Sequence, residues 1–593
     1  MEPLVRRLGR STAASSILLA VVFALSLAYT STGGGARQYL VAEMLTNFIL
    51  ALGMQVFIGN TGVLSFGHMA FAQIASYATA LVVIPVAAKA TSLPDIPFGL
   101  GEVEVGPVTA TLVALAVTIA IGAAFGVAVC RASGLAPTMI TLAALFVVDQ
   151  VVKNWEELTR GAGGLTGVPI LGGNGVLWLG AFIALVVAHQ FQESRIGRFA
   201  AATRDDELAA PALGISLFTS RYAAWMVSIG LIALGGALRA QSLGTVNPKQ
   251  FTLDAGILVL AMVVVGGMRT VSGTVLGTIV ITVGNEVFRQ LGDPQRLGIE
   301  RFPDLFLGGV MLAVMLARPG GILGDLDVAA VLRRRMRWRA DSSPDRAGST
   351  TADEAVLSAD GVIVRFGGFT ALDGARIAVR PGEVVGLIGP NGAGKTTLFN
   401  VITGLVEETD GRVQLGDVDL SDASPVAVAR AGLGRTFQNL RLFANLSVRD
   451  NVAVTAMVAA RHRPQRPTPD PDDLLEAVGL LDRAERRADA LDYGSQRRLE
   501  LARAAALAPL YLLLDEPTSG MSDAESLEMV TAVRSIAQRV GAGVLVIDHD
   551  LGFITTISDH IVVLNEGRVL AEGSPDAVRA DPAVAAAYLG SRG

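Results

Sequence analysis

The sequence predicts two domains of different class, a polytopic α-helical membrane domain followed by an α/β domain. The 593-residue chain has a mean hydropathy of +0.50. Only 17% of its residues are charged, below the ~25% usual in soluble domains. Nearly all of the apolar excess lies before about Arg318, and the rest has the composition of a soluble domain. Because Cys130 is the only cysteine, a disulfide scaffold and a cysteine metal cluster are excluded.

The membrane domain is predicted from about ten apolar stretches, since a bilayer core needs about 20 apolar residues per helix. The stretches centre on Leu18–Tyr29, Leu40–Ile58, Phe71–Ala88, Val108–Val129, Ala136–Val152, Val176–His189, Tyr222–Leu238, Leu253–Val265, Val275–Val287 and Leu305–Leu316. The neighbouring stretches around Arg131 and around Arg269 are also compatible with one broken helix each. We therefore predict a membrane domain over residues 1–320, a basic and polar linker over 321–354, and a second domain over 355–593.

The arginines predict which side of the membrane each loop occupies, because cytoplasmic loops are enriched in cations. Arg6, Arg7 and Arg10 precede the first stretch, which places the N-terminus in the cytoplasm. With ten spans, the chain returns to the cytoplasm before the Arg333–Arg339 cluster. A cleaved signal peptide at the N-terminus is the alternative, and its removal would invert the loops. The net charge of -6 argues against a nucleic-acid binder, which needs a dense basic face.

The second domain contains a glycine-rich loop in a context typical of phosphate binding. An apolar run, Glu383–Gly389, leads into a loop and then into an apolar helix, Leu398–Leu405. The loop residues are Gly389, Pro390, Asn391, Gly392, Ala393, Gly394, Lys395, Thr396 and Thr397. Glycines let backbone N–H groups turn towards phosphate oxygens, and the helix N-terminus adds positive charge. This P-loop predicts a nucleotide site in which Lys395 contacts the β/γ phosphates and Thr396 contacts Mg²⁺.

Two further strand ends predict the chemistry of this site. The apolar run Tyr511–Leu514 ends in Asp515 and Glu516. Asp515 is expected to hold Mg²⁺, and Glu516 to orient or deprotonate the attacking water. A third run, Val544–Ile547, ends shortly before His549, which is expected near the γ-phosphate. The alternatives are ordinary strand ends with exposed acids and a structural histidine.

These motifs, together with the Arg435–Gln438 and Leu491–Arg498 segments, resemble the nucleotide-binding domain of ABC transporters from about Val356 onwards. The resemblance implies ATP as the nucleotide. It also implies that Gln438 senses both Mg²⁺ and the membrane domain, and that Phe366 stacks on adenine. Core packing is the alternative for Phe366.

The signature loop departs from the family pattern LSGGQ. Its residues here are Leu491, Asp492, Tyr493, Gly494 and Ser495, followed by Gln496. Asp492 replaces the serine that touches a partner's γ-phosphate, and an acid facing a triphosphate is unfavourable unless it points away or is protonated. Ser522 also stands where the family usually has Asp. We expect the ATP site built on a partner's P-loop to be weaker than the site built on Lys395.

Longer runs narrow the resemblance to branched-chain amino acid importers. The segments Arg435–Val452, LDYGSQRRLELARA and DPAVAAAYLG are similar to their ATP-binding proteins, and Asn60–Ala80 and Met262–Gly277 to their permease. The segment Gly197–Gly214 is similar to the cytoplasmic coupling loop of that permease. Its coupling residues would be Asp206, Glu207, Ala209 and Gly214, in a short helix that docks beside the Q-loop. A merely solvated loop is the alternative.

By this resemblance, the chain joins a permease to an ATPase and drives import of branched-chain or other hydrophobic amino acids with ATP and Mg²⁺. It implies a second permease and a second ATPase, or a second copy of this chain, and an extracytoplasmic binding protein. It also implies a bacterial-type plasma membrane with the ATPase domain in the cytoplasm. Urea or short amides as solutes, an exporter, and a membrane-anchored regulatory ATPase remain alternatives.

The solute path has weaker signals. Asp149 and Glu286 lie within apolar stretches, where ionisable groups usually face a cavity. Ser65 and His68, in a glycine-broken segment, are further candidates. The alternative places Asp149 and Glu286 at helix ends in head-group water.

Overall fold

The computed structural model describes residues 20, 22–24, 26, 29, 35–171, 173–291, 302–324 and 355–589. The chain divides into two compact units. The first comprises Met1–Arg204 and Phe218–Ser342, and the second comprises Asp205–Leu217 and Ser343–Gly593. The first unit is helical, and the second contains two β-sheets with helices.

Helices account for most of residues 35–324. They are α1 (Gly35–Thr61), α2 (His68–Val83), α3 (Val86–Ser92), α4 (Pro107–Arg131), α5 (Ala136–Asn154), α6 (Glu156–Thr159), α7 (Gly175–Glu193), α8 (Arg195–Asp205), α9 (Ala209–Ala212), α10 (Leu217–Leu243), α11 (Leu253–Gly266), α12 (Val271–Leu291) and α13 (Phe302–Ala317). A short antiparallel pair, β1 (Leu165–Thr166) and β2 (Thr245–Val246), joins two loops of the first unit.

The predicted membrane domain is confirmed. Among the described residues, 7 helices are long and apolar enough to cross a bilayer, and α2 with α3, bent by 112°, makes an eighth. The shorter helix α13 is also apolar. Every predicted stretch from Leu40 onwards overlaps one of these helices. The first predicted stretch, Leu18–Tyr29, lies largely outside the described residues. Arg131 ends α4 and Arg269 lies between α11 and α12, so separate helices, rather than broken ones, flank both arginines.

Glycines explain how α11 and α12 pack closely. A side chain on Gly277 would lie 1.8 Å from the carbonyl oxygen of Met262, and one on Gly266 would lie equally close to that of Gly273. Small residues at a helix interface let the two backbones approach. The run Met262–Gly277 therefore forms a tight helical hairpin.

The second unit contains the predicted α/β domain. Its strands are β3 (Leu357–Phe366), β4 (Phe369–Val379), β5 (Val384–Ile388), β6 (Asp410–Leu415), β7 (Val418–Asp419), β8 (Leu433–Arg435), β9 (Tyr511–Asp515), β10 (Gly543–Ile547), β11 (His560–Asn565) and β12 (Arg568–Gly573). Its main helices are α14 (Lys395–Ile402), α15 (Pro425–Ala431), α16 (Val448–His462), α17 (Pro471–Ala477), α18 (Tyr493–Ala505), α19 (Asp523–Val540), α20 (Leu551–Ile557), α21 (Pro575–Ala580) and α22 (Pro582–Leu589).

The six-stranded sheet positions the site. Its order is β12-β11-β5-β10-β9-β8, and the pairs between β11 and β8 are all parallel. In strand register, Ile547 of β10 lies opposite both Leu387 of β5 and Asp515 of β9. The residues that follow these three strands therefore meet at one edge of the sheet, where ligands bind in α/β folds. A second, four-stranded antiparallel sheet has the order β4-β3-β6-β7.

The predicted domain boundaries stay a prediction, and one segment groups differently in the structure. The segment Asp205–Leu217, which lies in the predicted membrane domain, groups with the second unit. Polar groups of the second unit bond to this segment, which explains the grouping. Most of the predicted linker over 321–354 lies outside the described residues, so its bounds stay a prediction.

Candidate functional site

The P-loop follows β5, a strand whose five residues are all buried. Gly389 has φ +152°, and a side chain there would lie 2.1 Å from the carbonyl oxygen of Leu564. Gly394 has φ +98°, and a side chain there would lie 2.7 Å from the carbonyl oxygen of Ala371. Only glycine fits either position, so the loop keeps its backbone close to neighbouring strands while it turns into α14.

Lys395 begins α14 and folds back over the loop. Its Nζ donates to the carbonyl oxygens of Gly389 at 2.8 Å and Pro390 at 3.0 Å. Burial lowers the pKa of Lys395, and the nearby Glu516 carboxylate opposes that shift. The ammonium is thus held at the loop, where anionic phosphates would replace carbonyl oxygens as its partners.

The other predicted loop residues differ in accessibility. Ala393 is buried, Pro390 and Thr397 are half-buried, and Asn391, Gly392 and Thr396 are exposed. The exposed loop backbone and the Thr396 hydroxyl at the start of α14 fit a nucleotide phosphate chain bound from the solvent side.

Asp515 is held at the end of β9 by a buried polar cluster. Its backbone N–H donates to the Thr436 hydroxyl at 3.1 Å, and the guanidinium of Arg435 lies 3.8 Å from its carboxylate. Burial raises the pKa of Asp515 to about 6, and the charge of Arg435 opposes that rise. A buried carboxylate with one distant counter-ion gains from a further cation, and the oxygen ligands of Asp515 and Thr396 suit Mg²⁺.

Glu516 and His549 meet at the same sheet edge. His549 Nδ1 lies 3.4 Å from Glu516 Oε1. Glu516 has φ +46°, a left-handed conformation that costs free energy in a non-glycine residue, and its N–H donates to the carbonyl oxygen of Ile547 at 2.8 Å. Strain of this kind clusters at functional sites. The arrangement gives a carboxylate and an imidazole in position to share one water.

Gln438 belongs to a segment fastened to α18. Its side chain is exposed, and its carbonyl oxygen accepts from Arg497 Nη2 at 2.5 Å. Arg497 Nη1 donates to the carbonyl oxygen of Phe437 at 2.7 Å, and the Phe437 N–H donates to Glu500 at 3.2 Å. Glu500 also lies 3.7 Å from the buried Arg503. Sequence reasoning missed this network, because its members pair through space rather than by a motif.

Asp492 is the N-cap of α18. Its carboxylate accepts from the Ser495 N–H at 2.8 Å and from Arg483 at 2.9 Å. These bonds lower the pKa of Asp492 to about 2. The carboxylate thus points to the N-terminus of its own helix, which is one of the two ways to avoid repulsion by a triphosphate.

The rest of the signature loop packs inwards. Ser495 is buried, and Gln496 Nε2 donates to the carbonyl oxygen of Leu491 at 3.1 Å. The Tyr493 hydroxyl accepts from Arg497 Nη2 at 2.9 Å. A side chain on Gly494 would lie 3.0 Å from Glu525. The start of α18 thus lies close to Glu525 in the first turn of α19.

Phe366 ends β3 and is 54% exposed. The core-packing alternative is therefore wrong. An exposed aromatic ring in the sheet that packs on the start of α14 suits stacking on a base.

The predicted coupling residues lie against the second unit. Asp206 pairs with Arg441 at 3.2 Å and caps the N–H of Ala209 at 2.7 Å. The Gly214 carbonyl oxygen accepts from Arg430 at 3.0 Å. Ala209 is buried and Glu207 is exposed. Since Arg441 follows Gln438 by three residues, the segment is docked beside the Q-loop, and the solvated-loop alternative is wrong.

Tyr588 of α22 is a second residue that sequence reasoning missed. Its hydroxyl accepts from the N–H of Gly389, and burial raises its pKa. The signal was the DPAVAAAYLG run, which contains this tyrosine but does not indicate its target. The P-loop thus has a contact from the last helix.

The four residues predicted for the solute path do not form one cluster in the first unit. Asp149 pairs with Lys153 at 2.7 Å and Glu286 pairs with Arg289 at 2.7 Å. His68 is buried, 2.8 Å from the Ser228 hydroxyl. Ser65 is also buried. Glu286 lines a cavity of the first unit.

Three family models match the chain. Residues 36–315 match the permease component of branched-chain amino acid transport systems. Residues 372–519 match the ABC transporter family, and residues 568–593 match the branched-chain amino acid ATP-binding cassette transporter.

Curated ATP-binding proteins of ABC transporters match the second domain. The high-affinity branched-chain amino acid transport ATP-binding protein LivG of Escherichia coli (strain K12) is 39% identical over 249 residues, which cover 40% of this chain and 98% of LivG. BraF of Pseudomonas aeruginosa, of the same description, is 39% identical with the same coverage. A crystal structure of an ATP-binding cassette of an ABC transporter in its ADP conformation is 29% identical, with a TM-score of 0.35 and 99% of that chain covered.

Proposed function

Because this chain belongs to the branched-chain amino acid family of ABC transporters, we propose that it is the fused permease and ATPase subunit of an importer for branched-chain or other hydrophobic amino acids. The permease domain makes it a multi-pass membrane protein. The second domain binds ATP and hydrolyses it, and this hydrolysis is coupled to transport.

The observation that carries the proposal is the docking of the segment Asp205–Leu217. This segment comes from the permease sequence, yet its polar partners Arg430, Arg441 and Asn445 belong to the ATPase domain. Asn445 donates to Asp205 through both its backbone N–H and its amide, at 3.1 and 3.0 Å. A movement of the ATPase domain near Gln438 is therefore transmitted to the permease helices that flank this segment.

The hydrolytic step uses residues at one sheet edge. The P-loop N–H groups and Lys395 bind the β/γ phosphates, and Glu516 accepts a proton from the attacking water while His549 orients it. Thr396, Asp515 and Gln438 would hold Mg²⁺, which would supply positive charge to offset the charge of the phosphates.

Transmission starts at the Q-loop. Glu500 and Arg497 clamp the backbone of Phe437 and Gln438, so a shift of Gln438 towards the nucleotide also moves α18. Arg441, in the same loop, moves Asp206 through their ion pair. The coupling segment then changes the angle of α8 and α10, and the permease alternates access.

Orientation and partners follow from the same proposal. The ATPase domain and the N-terminus lie in the cytoplasm of a bacterial-type plasma membrane, consistent with the arginine distribution. Two nucleotide domains close around ATP, so a second ATPase and a second permease, or a second copy of this chain, complete the transporter. Asp492 in the signature loop favours a nonidentical partner. An extracytoplasmic binding protein delivers the solute.

The test is uptake of radiolabelled L-leucine into vesicles that hold the full chain, its candidate partners and a binding protein, with ATP on the side of the ATPase domain. We expect ATP-dependent accumulation that a Lys395→Ala chain does not support. Extrusion of leucine would show an exporter. ATP hydrolysis without movement of any solute would show a regulatory ATPase, and either result contradicts the proposal. Uptake of urea or a short amide in place of leucine would reassign the solute.

A further inference from the structure

The first unit has an open cavity of about 470 Å³ among α1, α11 and α12. This volume falls within the range of small-molecule sites, about 300–1,000 Å³. Of the candidate spans, α1 is the most enclosed, with 89% of its apolar window buried. The cavity itself is partly open, since its lining includes the exposed side chains of Tyr39 at the start of α1 and Arg289 near the end of α12.

The cavity carries charges of both signs. Glu43 and Asn47 of α1 line one wall, and Glu286 and Arg289 of α12 line another. Ionisable groups inside a membrane domain are costly and mark solute or ion paths. The position of these groups around one cavity thus indicates a polar ligand.

Glu43 is the carboxylate of this cavity that no side-chain donor among the described residues holds, and its charge interacts with the guanidinium of Arg239. Its carboxylate makes no hydrogen bond or ion pair with any other residue in the described part of the chain. By contrast, Glu286 is held by two bonds from Arg289, at 2.7 and 2.8 Å. Glu43 is therefore the carboxylate available to a cationic group of a ligand.

Asn47 supplies hydrogen-bond donors, in contrast to the acceptor oxygens of Glu43. Its side-chain oxygen accepts from Arg239 of α10 at 2.9 Å, so its amide N–H groups are the donors that remain. Arg239 places a guanidinium directly behind Asn47, and its Nε has no hydrogen-bond partner among the described residues. This pair favours an anionic group beside Asn47.

The rest of the lining is aliphatic. Leu258 and Met262 of α11 and Ile281 of α12 face the same cavity. Aliphatic and methionine side chains adapt to branched hydrocarbon groups of different shape. The cavity thus combines a cation acceptor, an anion donor and an apolar wall.

We propose that this cavity binds the zwitterion of an aliphatic α-amino acid during transport, and this assignment rests on the proposed import function. Glu43 receives the α-ammonium group, Asn47 with Arg239 receives the carboxylate, and the aliphatic wall receives the side chain. Urea and short amides carry no net charge at either end, so they leave both charged positions without a partner and are disfavoured by this lining.

The experiment measures equilibrium binding of radiolabelled L-leucine to the purified full chain in lipid nanodiscs. Competitors are 4-methylpentanoate, which lacks the ammonium group, leucinamide, which lacks the carboxylate, and urea. We expect each to compete at least about tenfold more weakly than leucine, since a buried charge then loses its partner.

Variants locate the site. Glu43→Gln should weaken leucine binding about tenfold or more and should also shrink the difference between leucine and 4-methylpentanoate, because the ammonium contact is gone. Met262→Trp should block binding by filling the cavity. Glu157→Gln removes an exposed carboxylate elsewhere in the first unit and should bind leucine like the unaltered chain. Gel filtration and thermal unfolding check that each variant folds.

The failures are distinguishable. If the unaltered chain binds leucine and Glu43→Gln and Met262→Trp bind it equally well, the site is wrong while the import function stands. If the unaltered chain binds urea better than leucine, the amino acid assignment of the proposed function fails. If no leucine binds and a copurified lipid stays bound when leucine or its analogues are added, the cavity is a lipid site and the inference is overturned.

Discussion

The charged groups of the two units are positioned by different physical means. In the ATPase domain, Asp515, Glu516 and His549 follow buried parallel strands, so the backbone places them at one edge. In the permease, Glu43 and Asn47 occupy successive turns of one long helix, and only helix packing decides that they face a cavity. The position of a functional residue at a strand end can therefore be predicted from sequence, whereas its position on a helix face inside a membrane domain cannot.

The largest effect is expected when the strand-end carboxylate of Glu516 is removed. Glu516→Gln should lower ATP turnover by about a hundredfold or more, because a general base contributes roughly 10²–10⁴ to a rate. ATP binding should be retained, since the P-loop is unchanged. Phosphate release and equilibrium binding of a fluorescent ATP analogue measure the two quantities.

The matched control for that variant is Glu528→Gln, which removes an exposed carboxylate paired with Arg498. It should hydrolyse ATP at the unaltered rate. Turnover by Glu516→Gln within about twofold of normal would remove the carboxylate from its assigned role.

The second prediction concerns a buried carboxylate that no motif places. Burial raises the pKa of Glu500, and the ion pairs with Arg503 and Arg497 oppose that rise. Glu500→Ala should lower the free energy of unfolding of the ATPase domain by about 3–5 kcal/mol, because two buried guanidinium groups then lose their counter-ion. Pulse proteolysis of the full chain in urea measures the change.

Glu528→Ala again serves as the control, since its exposed pair with Arg498 should contribute less than about 1 kcal/mol. Equal losses for the two variants would show that the network of Glu500 adds nothing to stability.

The third prediction tests the segment Asp205–Leu217, which lies in the permease sequence but groups with the ATPase domain. Asp206→Asn keeps a helix cap but removes the ion pair with Arg441. Because that pair is partly exposed, the uptake per ATP hydrolysed should fall only about twofold to fivefold. The double variant Asp206→Arg, Arg441→Asp should recover part of it, and no change in either variant would contradict a coupling role for the pair.

The smallest expected effect is at the signature loop. Asp492→Ser should change stability by less than about 0.5 kcal/mol, since serine caps a helix as well as aspartate. It should raise the ATP affinity of the composite site about twofold by removing a like charge. Fluorescence-detected ATP binding by the assembled transporter measures this affinity.

The pKa of Asp492 also predicts how its contributions to helix capping and to ATP affinity depend on pH. The pKa of Asp492 is lowered from 3.8 to about 2, so its cap contributes stability above about pH 4 and loses it as the pH falls towards 2. The difference in ATP affinity between the Asp492→Ser variant and the unaltered chain should therefore stay constant between about pH 5 and 8. A difference that vanishes near pH 6 would mean that Asp492 is protonated in the assembled site.

Much of the fold was predictable because it follows local rules. Apolar length predicted the helices from Leu40 onwards, and the apolar runs before Gly389, Asp515 and His549 predicted three neighbouring strands. The capping role of Asp492 was also open to prediction, since aspartate before a helix is a common N-cap. Asp149 pairs with Lys153 one helical turn away, and its place in the solute path stays a prediction.

Long-range pairing explains the rest of what was missed. Glu500 binds the N–H of Phe437, 63 residues earlier, and Tyr588 reaches Gly389 from the last helix. Neither contact has a sequence spacing that physical reasoning can anticipate. The cavity around Glu43 is of the same kind, since it needs three helices to be in place at once.

The lysine at the P-loop also has a practical consequence. Lys395 is the only lysine after residue 249, and its lowered pKa leaves more of its amine uncharged at a given pH than an ordinary lysine would have. A reagent that acylates primary amines would thus label the ATPase domain at a single position. Protection of that one amine by nucleotide would report occupancy of the catalytic loop in intact membranes, by mass spectrometry of one peptide.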